Sequence, residues 1–266
     1  MYIFMPVFKK MSLFDKYRGV LVDRGIGTGR MVTEAIVKEV RADVIYLFSN
    51  GVLHNCSGCL DRTVPQLQGI CENLDTSHGF ETNLRGIWSK SVSCENDASN
   101  ILGGLGEFIS LDRELRVPVL STTAANLAKY GAVLVLDGDY IQFESTESVP
   151  LTRMSIGPTY VADYIFSEGG ANGAYLEYHD LPHFHQPLDT DAAGHLVLCH
   201  QKNPLEFAVT AFKIPYGSAI YTPPGIIHND CWLSGRYNVV YGCSTAYSTV
   251  RLRIPVSIDM YNTKNH

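Results

Sequence analysis

The stretch GSAIYTPPGIIHNDCW, from Gly217 to Trp232, restricts the backbone more tightly than any other part of the chain. Pro223 and Pro224 hold φ near the value of a turn and donate no backbone hydrogen bond, so they suit a strand end or the rim of a barrel. Gly225 supplies a backbone shape that a side chain would obstruct. His228 then enters the next strand in a set direction, and a period of two puts Asp230 and Trp232 on its face. Upstream, PHFHQPLD holds His183 and His185 two residues apart, so on an extended strand both rings point the same way. Three imidazoles can then meet on one metal ion. The plainer alternative is an edge turn followed by a hydrogen-bonded core histidine.

With Gly217, Pro223, Gly225 and His228 at their intervals, this stretch resembles the second motif of the cupin superfamily, GxxxxxPxGxxHxxxN, except that Trp232 stands where the motif has Asn. His183 and His185 match the HxH of the first motif. Its leading Gly is absent, and Asp189 falls by counting at the position of its glutamate, with Gly194 and the strand HLVL suggesting an insertion in the turn. The resemblance implies an antiparallel β-barrel of jelly-roll type over residues 155–266. It also implies that His183, His185, Asp189 and His228 hold a divalent metal, and that the barrel is an enzyme of oxygenase or isomerase/lyase type.

Parity offers other fourth ligands. Glu177, His179, Leu181, His183 and His185 are all odd-numbered and share one face if their strand runs unbroken, so Glu177 or His179 competes with Asp189. Pro182 is where such a strand would break. Imidazoles suit Zn, Fe, Ni or Cu, and an added carboxylate favours Fe, Mn or Zn. The expected cofactor is therefore a divalent metal, Fe, Mn, Zn or Ni. Around it, Asp230 is the candidate for proton transfer, and Tyr221, Trp232 and Glu177 are candidates for contact with a substrate.

The first half reads differently. GVLVD, the glycine run GIGTGR, the periodic MVTEAIVKEV and DVIYLF suggest strand, turn, helix and strand. VPVL, TTAANLAKYG and AVLVLDG suggest a second such unit. Gly25, Gly27 and Gly29, flanked by Arg24 and Arg30, could bind phosphate if they open a helix. Yet GxGxG is not the dinucleotide fingerprint, and a tight turn is the simpler reading. Between the units, ICENLDTSHGFETNLRGIWSKSVSCENDASN reads as loops with a short helix. The expected class is thus α+β, with an α/β-like N-terminal region over residues 1–150 and the cupin-type barrel after it.

Composition narrows the partners. A formal charge of −6 and a pI near 5.8, with no dense Lys/Arg run, argue against nucleic acid. No stretch approaches the ~18 apolar residues of a membrane span, and MYIFMPVFKK has its apolar and basic parts in the reverse order of a secretory signal. Seven cysteines in a chain this long suggest reduced thiols, so a cytoplasmic protein is expected. Cys56 and Cys59 form a CxxC that offers redox or zinc chemistry instead. The functional expectation is a metal-dependent enzyme acting on a small polar metabolite. The alternative is a non-catalytic ligand-binding or dimerising barrel, with any chemistry in the N-terminal region and a homodimer as the partner.

Overall fold

Val, Ile and Thr crowd MVTEAIVKEV, and such β-branched side chains are stiff and pack well on a pleated surface. In the computed structural model, which describes residues 23–56, 82–89, 107–171, 173–242, 247–252 and 254–259, this segment is the strand Met31–Val40. The expected helix is absent. The strand runs antiparallel to Val149–Ile156, with register shifts between Leu151 and Thr152 and between Arg153 and Met154. Bulges of this kind interrupt the alternation by two, which leaves a strand with helix-like spacing. The described chain is nearly all β, so the α+β class with an α/β-like N-terminal region is corrected.

The second expected α/β unit has its elements in the right order but not their pairing. Leu115–Leu120 is a strand, Ala124–Ala128 a helix capped by the Thr123 hydroxyl, which accepts from the Asn126 N–H at 3.2 Å, and Val133–Val135 a strand. The two strands join different sheets. Leu115–Leu120 pairs in parallel with Glu206–Phe212, whereas Val133–Val135 pairs antiparallel with Ala219–Thr222.

One large sheet runs in the order Asp23–Arg24, Met31–Val40, Val149–Ile156, Leu233–Val240, His183–Pro187, Ala219–Thr222, Val133–Val135. A second runs Tyr247–Leu252, Ala174–His179, Ile227–Asn229, Leu196–Asn203, Glu206–Phe212, Thr82–Ser89, Glu107–Ser110. A small sheet of Val52–Asn55, Ile45–Ser49 and Tyr140–Gln142 completes the described strands' main groupings. Met31–Val40 and Leu233–Val240 flank Val149–Ile156, so residues from both sides of the expected boundary near 150 share one sheet.

Two apolar cores lie on opposite faces of the first sheet. Phe184, Tyr221, Leu151 and Val240 pack with Phe48, Tyr46 and Phe143 from the side of the small sheet, the rings meeting edge to face, as in Phe143–Phe184 at 5.9 Å and Phe48–Phe184 at 6.1 Å. Ile220, Val239 and Tyr237 belong instead to the larger core with Leu196, Leu198 and Phe212 of the second sheet. His183 and His185 alternate with Phe184, so they face the second sheet.

The glycine run makes a tight turn, Gly27–Gly29, that leads into a strand. A Cβ on Gly29 would lie 2.4 Å from the Asp163 side chain, and one on Gly157 would lie 1.6 Å from the Thr28 carbonyl oxygen. These glycines let the turn press against the helical turn Val161–Ile165. Gly27–Gly29 is a single 3-10 turn that runs into a strand and opens no α-helix, so Gly25, Gly27 and Gly29 lack the helix N-terminus that the phosphate reading needs.

Cys56 is disulfide-bonded, which corrects the expectation of reduced thiols throughout, while Cys199 and Cys231 are buried free thiols. Cys59 and most of the polar stretch 70–100 lie outside the described residues; within that stretch Thr82–Ser89 is a strand. Among the described residues no helix is long and apolar enough to cross a membrane.

Candidate metal centre

Pro223 to Ile226 forms the turn that delivers His228. Pro224 and Gly225 occupy its centre, Gly225 at φ +79°, and the Ile226 N–H points back to the Pro223 carbonyl at 3.4 Å. A positive φ at this place is what a type II turn demands and what glycine supplies without strain. The Gly225 N–H also donates to the His179 carbonyl at 2.8 Å, tying the turn to the strand Ala174–His179. His228 stands opposite Glu177 in the neighbouring strand, so their side chains share a face.

The odd-numbered residues come together by another route than one unbroken strand. The chain leaves Ala174–His179 in the second sheet and enters His183–Pro187 in the first, with Pro182 between them. Glu177, His179 and His228 therefore face inward from one wall, and His183 and His185 from the other. Ring centroids lie 4.5 Å apart for His179–His183, 4.5 Å for His183–His228 and 5.1 Å for His179–His228. Ligand atoms of Glu177, His179, His183 and His228 all fall within 4.8 Å of one another, and so do those of His183, His185 and Asp230.

Hydrogen bonding sets the rings. His228 Nδ1–H donates to the Ile226 carbonyl at 2.8 Å, which leaves the lone pair on Nε2. That Nε2 lies 2.9 Å from His183 Nδ1 and 3.7 Å from Glu177 Oε1. Burial holds both His183 and His228 well below the ordinary histidine value, so both rings are neutral. His185 Nε2–H donates to Asp230 Oδ2 at 3.2 Å. Its Nδ1, and both ring nitrogens of His179, are buried without a hydrogen-bond partner among the described residues.

The carboxylates differ. Burial, with repulsion from Asp230, pushes Glu177 up to about 8, against the pull of Arg24. Burial also acts to raise Asp230, but the hydrogen bond from His185 and the attraction of Arg24 hold it below the usual range. A carboxyl group that resists ionisation among neutral, inward-facing imidazoles is a site short of positive charge.

These residues fit a divalent cation. Two donors each about 2.1 Å from one ion stand roughly 3.0–3.4 Å apart, and the separations at His228 Nε2 straddle that range. The Nδ1–H bond of His228 to a backbone carbonyl is the outer support that metal-bound histidines ordinarily have. Three imidazole nitrogens and one carboxylate suit Zn, Fe, Mn or Ni.

Other expected site residues lie elsewhere. Asp189 is on the surface, its carboxylate 3.5 Å from Arg236, outside both clusters. Tyr221 pairs with Phe184 and so faces the smaller core, where its hydroxyl accepts from the Glu144 N–H at 3.0 Å. Trp232 follows the strand Ile227–Asn229 in a turn closed by the Leu233 N–H to the Asp230 carbonyl at 3.0 Å, so it does not continue the face of His228. Asp230 lies just past that strand and meets His185. Thr222, opposite His183 in the paired strand, was not singled out by its sequence; its buried hydroxyl has no hydrogen-bond partner among the described residues. Periodicity alone gave no sign of this, since Thr222 stands beside a double proline. Comparisons with protein-family models, curated proteins and solved structures find no match for this chain.

Proposed function

We propose that the chain is a metal-dependent enzyme of cupin type that acts on a small polar metabolite between its two large sheets. The observation that carries this reading is the meeting of Glu177, His179, His183 and His228 from opposite walls, with the His228 lone pair directed by its bond to Ile226. A bound divalent ion there would polarise a substrate oxygen or bind oxygen itself, as Zn, Fe or Mn sites do.

The chain's own residues divide the remaining work. Glu177 supplies the anionic ligand, and the three neutral imidazoles supply nitrogen donors that need no deprotonation near neutral pH. His185 and Asp230 form a hydrogen-bonded pair at the edge of the cluster, where a proton on His185 Nε2 is within reach of Asp230 Oδ2. Thr222 adds a hydroxyl beside His183.

Four protein donors also favour a second reading, a closed coordination shell with a structural or ligand-binding role and no turnover. Metal analysis of the purified protein, followed by spectroscopy of a Co(II)-loaded sample, separates the two. The enzyme reading expects one tightly held ion per chain, lost in a His183→Ala/His228→Ala double variant that keeps its β-sheet circular dichroism. It also expects a five- or six-coordinate Co(II) spectrum, with positions open to exchange. A four-coordinate spectrum indifferent to added ligands supports the structural role, and a protein that takes up no ion defeats both.

A further inference from the structure

The first sheet carries a polar row on the face turned away from the metal centre. In Val149–Ile156, Leu151 packs in the smaller core, so Arg153, two residues on, faces the same way. Arg153 stands opposite Asn238, and Asn238 stands opposite Gln186. Gln186 alternates with His185 along its strand and so shares the face of Phe184. Three neighbouring strands thus line up Arg153, Asn238 and Gln186 side by side.

Hydrogen bonds orient the row. Gln186 Nε2–H donates to the Gly51 carbonyl at 2.6 Å, which leaves its Oε1 to accept from Asn238 Nδ2–H at 3.0 Å. The remaining atom, Asn238 Oδ1, is buried and has no hydrogen-bond partner among the described residues, and Asn238 as a whole is only 8% exposed. The Arg153 Nε–H is likewise buried without an acceptor, and among the described residues no carboxylate pairs with its guanidinium. Glu34 on the neighbouring strand and Asp189 just past Pro187 both pair with Arg236 instead, at 3.2 and 3.5 Å.

A buried donor and a buried acceptor left unmet on adjacent strands cost free energy, which a ligand matching both recovers. Their chemistry defines that ligand. A guanidinium takes a carboxylate, the planar anion that its fork fits. The amide oxygen needs a donor next to that carboxylate. An ammonium there would be repelled by the arginine, whereas a hydroxyl is neutral.

We infer that Arg153 and Asn238 form a binding site for a small α-hydroxycarboxylate, its carboxylate on the guanidinium and its hydroxyl donating to Asn238 Oδ1. The site lies on the opposite face of the sheet from His183 and His185 and does not depend on the metal-centre reading.

Glycolate, acetate and glycolamide, titrated into the full-length protein and followed by the Nε–H NMR signal of Arg153, test it. Glycolate should shift that signal saturably. It should bind at least about tenfold more tightly than neutral glycolamide and about fivefold more tightly than acetate, which lacks the hydroxyl; these are the sizes of one charge-assisted and one neutral hydrogen bond. Asn238→Asp puts a carboxylate of the same shape beside Arg153 and should abolish the response, while the His183→Ala/His228→Ala double variant should keep it. The wild-type order of affinities tests the inference even if Asn238→Asp fails to fold. A wild type without a saturable shift has its donor and acceptor bridged by water alone, which overturns the site. Equal affinity for glycolate and either analogue, or a response that survives in Asn238→Asp, overturns it as well. So does a response lost in a folded His183→Ala/His228→Ala variant, which would place glycolate at the metal centre.

Discussion

Glu177 is where residue chemistry bears most directly on stability. In the metal-free protein its carboxyl is pushed from an ordinary value of 4.5 up to about 8. Between those values it is protonated when folded and ionised when unfolded, so unfolding releases a proton and rising pH favours the unfolded state. Its contribution is fully present below pH 4.5 and is lost as the pH rises through about 8. His183 and His228, lowered by burial, act in the opposite sense, with stability gained as the pH rises toward the ordinary histidine value of 6.5. A Glu177→Gln variant isolates the carboxyl. Its thermal midpoint relative to the metal-free wild type should climb steadily across that pH window, both proteins being measured without metal. A midpoint difference independent of pH would contradict the shifted carboxyl. The sequence made Glu177 and His179 eligible through their odd numbering, but Asp189 was equally eligible by counting. Only the pairing of Asp189 with Arg236 at the surface separates them.

At the level of elements, the turn Pro223–Ile226 was legible because proline and glycine restrict the backbone locally, whatever surrounds them. Its consequence is quantitative. A Cβ on Gly225 would meet nothing within 4 Å, so Gly225→Ala tests the backbone alone at φ +79°. A left-handed conformation costs a non-glycine residue about 1–2 kcal/mol. Gly225→Ala should therefore lose about that much stability in urea melts. It should also weaken metal binding, because the Gly225 N–H holds the His179 carbonyl and the same turn aims His228. Unchanged metal affinity in a destabilised variant would show that the turn does not position the ligands. The strand Met31–Val40 was misread for the reverse reason: its spacing is broken by bulges against Val149–Ile156, a partner more than a hundred residues away in the chain.

Across the whole molecule, the site depends on a sheet buried on both faces. His183 and His185 point to one core while Phe184, fully buried between them in sequence, points to the other. Phe184→Ala should cost about 3–5 kcal/mol through lost burial and the cavity left behind. If the two cores support one strand, metal affinity should fall with stability even though the Phe184 side chain packs in the smaller core, on the opposite face from His183. Chemical denaturation of the variant with and without bound metal measures both effects. Full metal affinity in a destabilised Phe184→Ala protein would show that the smaller core is mechanically separate from the site.

Local features of the chain determined a great deal: the PPG turn, the two-residue spacing that sends His183 and His185 to one face, and the strand character of the second half all follow from dihedral limits acting over a few residues. Tertiary structure alone decided which sheets the strands joined. It carried the chain across at Pro182 so that Glu177 and His179 oppose His183, and it sent Asp189 to the surface and Tyr221 to a different core. The physical reason is that a strand's own residues set the direction of its side chains, whereas pairing, register and burial on the opposite wall set what those side chains meet.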